Sequence, residues 1–544
     1  MRRDPARLAA EDYEIVVVGG GIHGACAAWQ AAANGLKVAL IDAGDFGAAT
    51  SSNSLRILHG GLRHLQRLDF TRMRESIRAR REWLRFAPHL VRPMRFVLPT
   101  FGHGARGPEA LRGALWVNDL VSWDRNSGLD SERKIGSGRV WSGKLARAIL
   151  TGTRLDGCNG AAAWYDAVCL NSERLLLAVI AAAVRAGATA ANYLRATGLT
   201  NQDGAVSAVL ARDELTGREF EIRTRAVIDA TGAQVGEWMG GSTRMPTMFN
   251  ASKAFNLLTR PFPFKDGMGF AAESPGRGLH TYFIVPWNGR ALIGTRHLPC
   301  DRSARSAVVT RDEVVDFIAD LNSVLGRYRL SGSDVIGLFS GLLPEQEGSS
   351  GPNVELQRAP EIVDHGSSGV EGVYSVIGVK WTTSRTVAAR AVRAACGYLG
   401  RPAPRGAGES LPLTHLDNHL DEVYGPSRGE LLELLNRDAA LAAKVVPDLP
   451  VSKAQILHCV REEMAVQLAD VVMRRTPLYL SEALDGYTLS ACAAIAASEL
   501  GWDPHESRQQ VERAESELLS FRAPNLSTLR AAEPVRMPRI LSTS

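Results

Sequence analysis

The stretch EIVVVGGGIHGACAAWQAAANGLKVALID, residues 14–42, decides the fold. Ile15–Val18 is a short β-branched run of the kind that forms a strand buried on both faces, and it leads directly into Gly19, Gly20 and Gly21. An alanine-rich segment of high helix propensity follows, and Asn34-Gly35 supplies its stop. Lys37–Ile41 then predicts a second strand, which closes on Asp42. Strand, helix, strand is the unit from which parallel sheets are built.

Gly19, Gly21 and Gly24 stand at the spacing GxGxxG. The first permits a tight turn, the second a close backbone approach to a pyrophosphate, and the third tight packing of helix on strand. The helix start adds free N–H groups and the positive end of a dipole. Alone the pattern is also an ordinary glycine turn, but the strand before, the helix after and Asp42 at the tip of the second strand make it a dinucleotide site. Asp42 can accept hydrogen bonds from a ribose diol and would repel the extra phosphate of NADP.

At 544 residues the chain exceeds one compact core, so two or three domains are expected. Its 45% hydrophobic and 22% charged residues are those of a soluble globular protein. The net charge of +5 is spread widely and makes no case for nucleic acid. Seven scattered cysteines without a CxxC pair argue for a reducing compartment, against a disulfide framework and against a metal site. The start, MRRDPARLAAEDYE, is interrupted by acids and does not read as a signal peptide. The longest apolar run, LLLAVIAAAV at 175–184, is too short to cross a bilayer. The expected location is cytoplasmic, with any membrane contact peripheral, at the inner face of the cell membrane.

Further along, ATSSNSLRILHGGLRHL (49–65) is a polar turn followed by His59, Gly60, Gly61 and Arg63. Arg74, Arg78, Arg81 and Arg85 share one helix face, which reads as a solvated surface. AVIDATG (226–232) is an apolar strand ending in a small-residue turn. FNLLTR (255–260) and TYFIVPWNGRALIGTRH (281–297) alternate as antiparallel strands do. YSVIG leads into VKWTTSRTVAARAV (379–392), a second glycine-to-helix junction. RPAPRGAGESLPLT (401–414) reads as a linker, and the periodicity beyond it is helical. One continuous helix is predicted over KAQILHCVREEMAVQLADVVMRR, 453–475.

In this order, GGGIHG, ATSSNSLRILHGGLRHL, APHLVRPMRF, YDAVCLNSERL, DATGAQV, VPWNGRALIGT and GVKWTTSR closely resemble FAD-dependent glycerol-3-phosphate dehydrogenases and oxidases. VREEMAVQLADVVMRRT resembles the helical domain of that family, so the likeness spans roughly residues 13–520. It implies an α/β (α+β) flavoprotein of the D-amino-acid-oxidase type. The oxidoreductase region would cover 13–400, with a Rossmann-like FAD-binding domain from segments about 13–95, 150–245 and 335–400, and an antiparallel substrate domain from about 96–149 and 246–334. The 401–414 linker, a helical domain over 415–522 and a poorly ordered tail over 523–544 would complete the chain.

By the same resemblance, Gly19, Gly20, Gly21 and Gly24 would hold the FAD pyrophosphate and Asp42 the adenosine ribose. Thr50, Ser51, Ser52, Gly60, Gly61, Ala230, Gly232 and Thr382 would lie along the flavin. The implied reaction is oxidation of a secondary alcohol, with hydride passing to flavin N5, a base taking the hydroxyl proton, and electrons leaving to quinone or oxygen. Arg63, Arg358 and Lys380 match positions that hold the substrate phosphate.

Three family segments differ here. Gly-Val-Arg-Pro reads Gly341-Leu342-Leu343-Pro344, which removes a phosphate-binding arginine. Lys-Gly-x-His reads Lys253-Ala254-Phe255-Asn256, and the Asn256 amide does not titrate near neutrality. Gly-Thr-Thr-Asp reads Gly294-Thr295-Arg296-His297. Arg296 can replace the lost anion contact, and His297 or His59 can supply the base, with Arg358 beside them in the catalytic set. The rival readings are a flavin-dependent amine or amino-acid oxidase on the same scaffold, a non-catalytic flavin-binding interaction protein, and an NAD-dependent dehydrogenase, which the lack of a separate nicotinamide domain weakens.

Overall fold

The computed structural model describes residues 1–104, 107–242, 250–274, 278–300, 307–346, 354–405, 419–522 and 534–535. Two large sheets organise them. In the first, the strands run in the order Glu361–Asp364, Val373–Ile377, Glu219–Asp229, Tyr13–Val18, Val38–Ile41, Thr189–Ala191. From Val373–Ile377 to Thr189–Ala191 every neighbour is parallel. Ile15 and Val17 pack beneath the helices Ile22–Ala32, Ser172–Arg185 and Ser384–Tyr398, while Val16 and Val18 face the antiparallel strands Leu194–Gln202 and Ala205–Asp213. Apolar side chains on both faces are what the unbroken run Ile15–Val18 requires.

The second sheet runs Val335–Pro344, Ala251–Thr259, Arg290–Pro299, Gly278–Trp287, Gly267–Ser274, Val91–Phe101, Cys158–Cys169, Ile57–Leu58. Asn288 (φ 47°) and Gly289 (φ +68°) both take left-handed backbone at the hairpin between Gly278–Trp287 and Arg290–Pro299, as a two-residue turn demands. One face of this sheet, through Phe255 and Ile293, packs on the helix Arg311–Asn322 and its Phe317. The other face, through Trp287 and Phe339, meets Tyr479 and Phe521 of the C-terminal helices.

The second sheet takes strands from further along the chain than the predicted segment limits allowed. Cys158–Cys169 and Val335–Pro344 were expected within FAD-binding segments, yet the first pairs along nearly its whole length with Val91–Phe101 and the second with Ala251–Thr259. Long antiparallel ladders override the local boundary. The helix expected from Val379 begins only at Ser384, leaving Val379–Thr383 as a loop. The continuous helix expected over 453–475 is broken after Glu462, because Met464 takes φ 52° and the Asp470 carboxylate accepts the N–H groups of Val466 and Gln467. Most of the linker, 406–414, and all of the tail except Pro534 and Val535 lie outside the described residues.

Candidate active site

The nucleotide cradle closes by backbone contact. Gly19 has φ +101°, and a Cβ there would lie 2.6 Å from the Ala230 carbonyl oxygen; a Cβ on Gly24 would lie 1.8 Å from the Gly19 oxygen. No side chain can be added at either place. The helix Ile22–Ala32 starts at Gly21 with no side-chain cap, so its first turn is free to donate to an anion apart from the Ile22 N–H, which the Ser51 hydroxyl accepts at 3.0 Å. Gly232 has φ +66° and open space where a Cβ would project. Asp42 accepts the N–H groups of Gly20 (2.6 Å) and Gly44 (2.8 Å), and burial pushes its carboxyl up to about 6. Its remaining lone pairs can still receive ribose hydroxyls. These residues fit a dinucleotide.

The polar loop after the cradle holds itself in place. Thr50 donates to the Leu342 carbonyl, Ser52 to the Gly47 carbonyl, and Trp381 donates its indole N–H to the Ser51 carbonyl. The His59-Gly60-Gly61 turn is pinned from three sides: Thr382 accepts the His59 N–H at 3.1 Å, Asp166 accepts the Gly60 N–H, and Arg80 fills the space a Cβ on Gly60 would need. Gly61 itself has φ +78°.

The second sheet offers the opposite wall. Strand alternation puts Ser252, Asn256, Thr295, His297 and Leu343 on the face toward this loop, and Lys253, Phe255 and Arg296 on the face toward helix Arg311–Asn322. The expected replacement of the lost anion contact by Arg296 therefore fails. Its guanidinium is 4% exposed and bonds Asp320 and the Tyr282 hydroxyl across the wrong face. Asn256 is also committed: its amide donates to the Asn53 carbonyl at 3.2 Å and accepts from Thr295 at 2.8 Å, tying sheet to loop. His297 stays on the inner face, its Nδ1 3.5 Å from the Ser252 hydroxyl.

Arg358 and Lys380 line one cleft with His64, Arg72, Glu75 and Thr383. Arg358 pairs with Glu355 at 2.9 Å and is half-exposed. Arg63 is exposed, has no hydrogen bond or ion pair among the described residues, and lies close enough to act electrostatically on Lys380, His59, His64 and His297. Burial, reinforced by Arg63 and Arg72, lowers Lys380 to about 8. Burial and then the nearby cations hold the imidazoles neutral, His59 at about 3 and His297 at about 4. Cations thus outnumber acids here, with Glu75 in the lining and Glu355 on Arg358 offsetting part of the charge, and neutral imidazoles stand among them, an arrangement that favours an anionic ligand.

His64 was not singled out from the sequence. Its Nε2 is 3.0 Å from the Lys380 ammonium, and burial, then Lys380, lowers it to about 4. It directly follows Arg63, but nothing local signals a contact with a residue 316 positions away.

Comparison with known proteins agrees with this geometry. The family described as FAD dependent oxidoreductase matches residues 14–394, and the C-terminal domain of alpha-glycerophosphate oxidase matches residues 403–507. A glycerol-3-phosphate dehydrogenase of Synechocystis is 30% identical over 92% of this chain and 95% of its own, and one of Mycobacterium leprae is 28% identical over 98% and 94%. The X-ray structure of the Bacillus halodurans glycerol-3-phosphate dehydrogenase complexed with FAD superposes with a TM-score of 0.76 at 22% identity, covering 96% of this chain and 98% of that one. With the glycine cradle and the cationic cleft set on the same scaffold, the chain belongs to the FAD-dependent oxidoreductases of the D-amino-acid-oxidase type, within the glycerol-3-phosphate dehydrogenase family.

Proposed function

We propose that the chain oxidises the secondary alcohol of glycerol 3-phosphate, or of a closely related polyol phosphate, to the ketone. The observation that carries this reading is the meeting of Arg358 and Lys380 in one cleft, with Arg63, unpaired among the described residues, near enough to act on Lys380 and on His297. Arg63 and Arg358 present forks suited to phosphate, and Lys380 adds a point charge. FAD, once bound, supplies the acceptor for the hydride. The chain's own part is to fix the phosphate, align the carbinol carbon and receive the hydroxyl proton on a neutral imidazole, His59 or His297. Burial is the main cause of their neutrality, and a phosphate dianion offsets only the further lowering by nearby cations, so substrate binding raises their basicity in part.

Anaerobic mixing with glycerol 3-phosphate should bleach the flavin, whereas glycerol should not. Absence of bleaching with every polyol phosphate tried, together with hydrogen peroxide release from amino acids, would move the assignment to an amino-acid oxidase.

For the electrons, we favour a quinone reached from a lipid surface. Trp116 (68%) and Leu120 (60%) on the helix Pro108–Val121, Trp123 (79%) just beyond its end, and Leu68 (71%) at the end of the neighbouring turn Leu62–Arg67 are large apolar side chains left exposed. Exposed Arg67 and Arg112 accompany them. Exposed Trp beside Arg suits the interface of an anionic bilayer. Among the described residues no helix is long and apolar enough to cross a membrane, so this contact is peripheral. Sedimentation with anionic vesicles that a Trp116→Ser/Trp123→Ser variant loses, and faster turnover with a quinone analogue than with oxygen, are the expected results. Equal vesicle binding by both proteins would remove the lipid surface from the proposal.

A further inference from the structure

The turn that follows the second strand of the nucleotide unit carries two acids with different partners. Asp42 holds the Gly20 and Gly44 N–H groups, next to the pyrophosphate glycines. Three residues on, Asp45 is fully buried and turns away from the cradle. Its Oδ2 accepts Arg474 Nε at 2.5 Å and Arg475 Nη1 at 2.6 Å, and its Oδ1 accepts Arg475 Nη2 at 2.7 Å and the Asn192 amide at 3.1 Å. Burial opposes ionisation of this carboxyl, but Arg475 and Arg474 outweigh it and hold Asp45 at about 2.

Both arginines come from the C-terminal helical region, 429 and 430 residues away. They sit in a single wide turn, Val471–Arg475, and are themselves fixed: Arg474 by Asp470 at 2.9 Å and Glu517 at 3.2 Å, Arg475 by the Glu463 carbonyl at 3.0 Å. Tyr193 closes the ring, its hydroxyl donating to Asp470 at 2.5 Å while its own N–H goes to the Gly44 carbonyl at 2.9 Å. Between Asp45 and Gly47 lies Phe46, 1% exposed, whose ring occupies the space where a Cβ on Gly20 would stand. Asp42, Gly44, Asp45 and Phe46 therefore form one turn, held on the cradle side by its contacts with Gly20 and on the other by the two arginines.

We propose that Arg474 and Arg475 are positioning residues for the cofactor: by gripping Asp45 they fix the turn that aims Asp42 at the adenosine ribose and Phe46 at Gly20, which makes the helical domain part of the FAD site. A buried, bidentate charge pair is well suited to this, because each lone pair and each N–H it leaves unmatched is costly, so the turn has one arrangement and no near alternative. The substrate cleft, built on Arg63, Arg358 and Lys380, takes no part in the clamp, so the inference stands apart from the choice of substrate.

The test uses full-length apoprotein titrated with FAD and, separately, with ADP, which carries the ribose and diphosphate alone. Asp45→Asn and Arg475→Met should each weaken both ligands by about tenfold or more, while the flavin spectrum and the KM for glycerol 3-phosphate of the reconstituted enzyme stay as in the parent. Arg475→Lys should recover part of the loss. If the single variants do not fold, the double variant Asp45→Asn/Arg475→Met removes both charges and leaves none buried alone. A folded variant, single or double, that melts lower yet binds FAD and ADP as the parent does would reduce the clamp to an ordinary domain contact and overturn the proposal.

Discussion

The cradle at Gly19–Gly24 and the cleft at Arg63, Arg358 and Lys380 lie on one molecule and are held by opposite physics. The cradle is backbone against backbone, with no room for a single added carbon at Gly19 or Gly24. The cleft is side chains from distant segments, mostly cations with Glu75 and Glu355 among them, and Arg63 beside it has no partner among the described residues. A cradle of that kind works or fails as a unit, whereas a cleft of several cations loses its ligand by degrees. Divergence sits outside the cradle, on the inner face of the second sheet: Leu343, Asn256 and His297 depart from the family pattern while the glycine spacing does not.

The comparison breaks most directly at Gly24. A Gly24→Val change forces a side chain into a position 1.8 Å from the Gly19 oxygen, and the purified protein should be colourless. Arg296→Met is the next largest effect and falls on stability alone. Removing one partner of its buried pair with Asp320 should cost about 3–5 kcal/mol in denaturant titration while the KM for substrate is unchanged. A KM rise there would return Arg296 to the substrate site.

Arg358→Met and Lys380→Met should leave FAD content intact and raise the KM for glycerol 3-phosphate. One charge-assisted hydrogen bond is about 1.5–3 kcal/mol, so the rise should be about tenfold to a hundredfold for each. Leu343→Arg sharpens the same point in reverse. Leu343 is on the inner face of the sheet, and a guanidinium there should lower KM by up to about tenfold.

The smallest effect is one of pH. His59, at about 3, and His297, at about 4, lie below the ordinary imidazole value of 6.5, so the unfolded chain takes up protons that the folded chain does not in the window below pH 6.5. Their neutral forms contribute stability that is fully present above pH 6.5 and is lost as pH falls towards 4. As far as these two rings go, the melting temperature of the apoprotein should be level from pH 6.5 to about 8, where Lys380 begins to titrate, and decline beneath 6.5. A His59→Asn/His297→Asn variant should show a shallower decline.

Legibility follows the same division. The first βαβ unit, the alternating strands over 281–297 and the apolar strand ending at Asp229 were all readable, because each is set by local sterics or by a burial pattern of short period. Arg296 was misread for want of its strand's facing: only the register of Phe255 against Arg296 shows that the guanidinium points to Phe317 and Asp320. His64 was missed because its partner is Lys380, and the break after Glu462 because helical periodicity continues across it although Met464 turns left-handed and Asp470 caps Val466 and Gln467.

The sequence by itself determined a nucleotide-binding βαβ unit, a second antiparallel sheet, a helical C-terminal region and, through the ordered motifs, the family. These are properties of neighbours along the chain, where φ, ψ and hydrophobic period leave few choices. Only the tertiary structure decided which arginines remain free for an anion, which are consumed in buried pairs, and that Arg474 and Arg475 reach back to Asp45. Charges act through space, and the partners here range from 24 residues away, as in Arg296–Asp320, to 430, as in Arg475–Asp45, so no local reading can assign them.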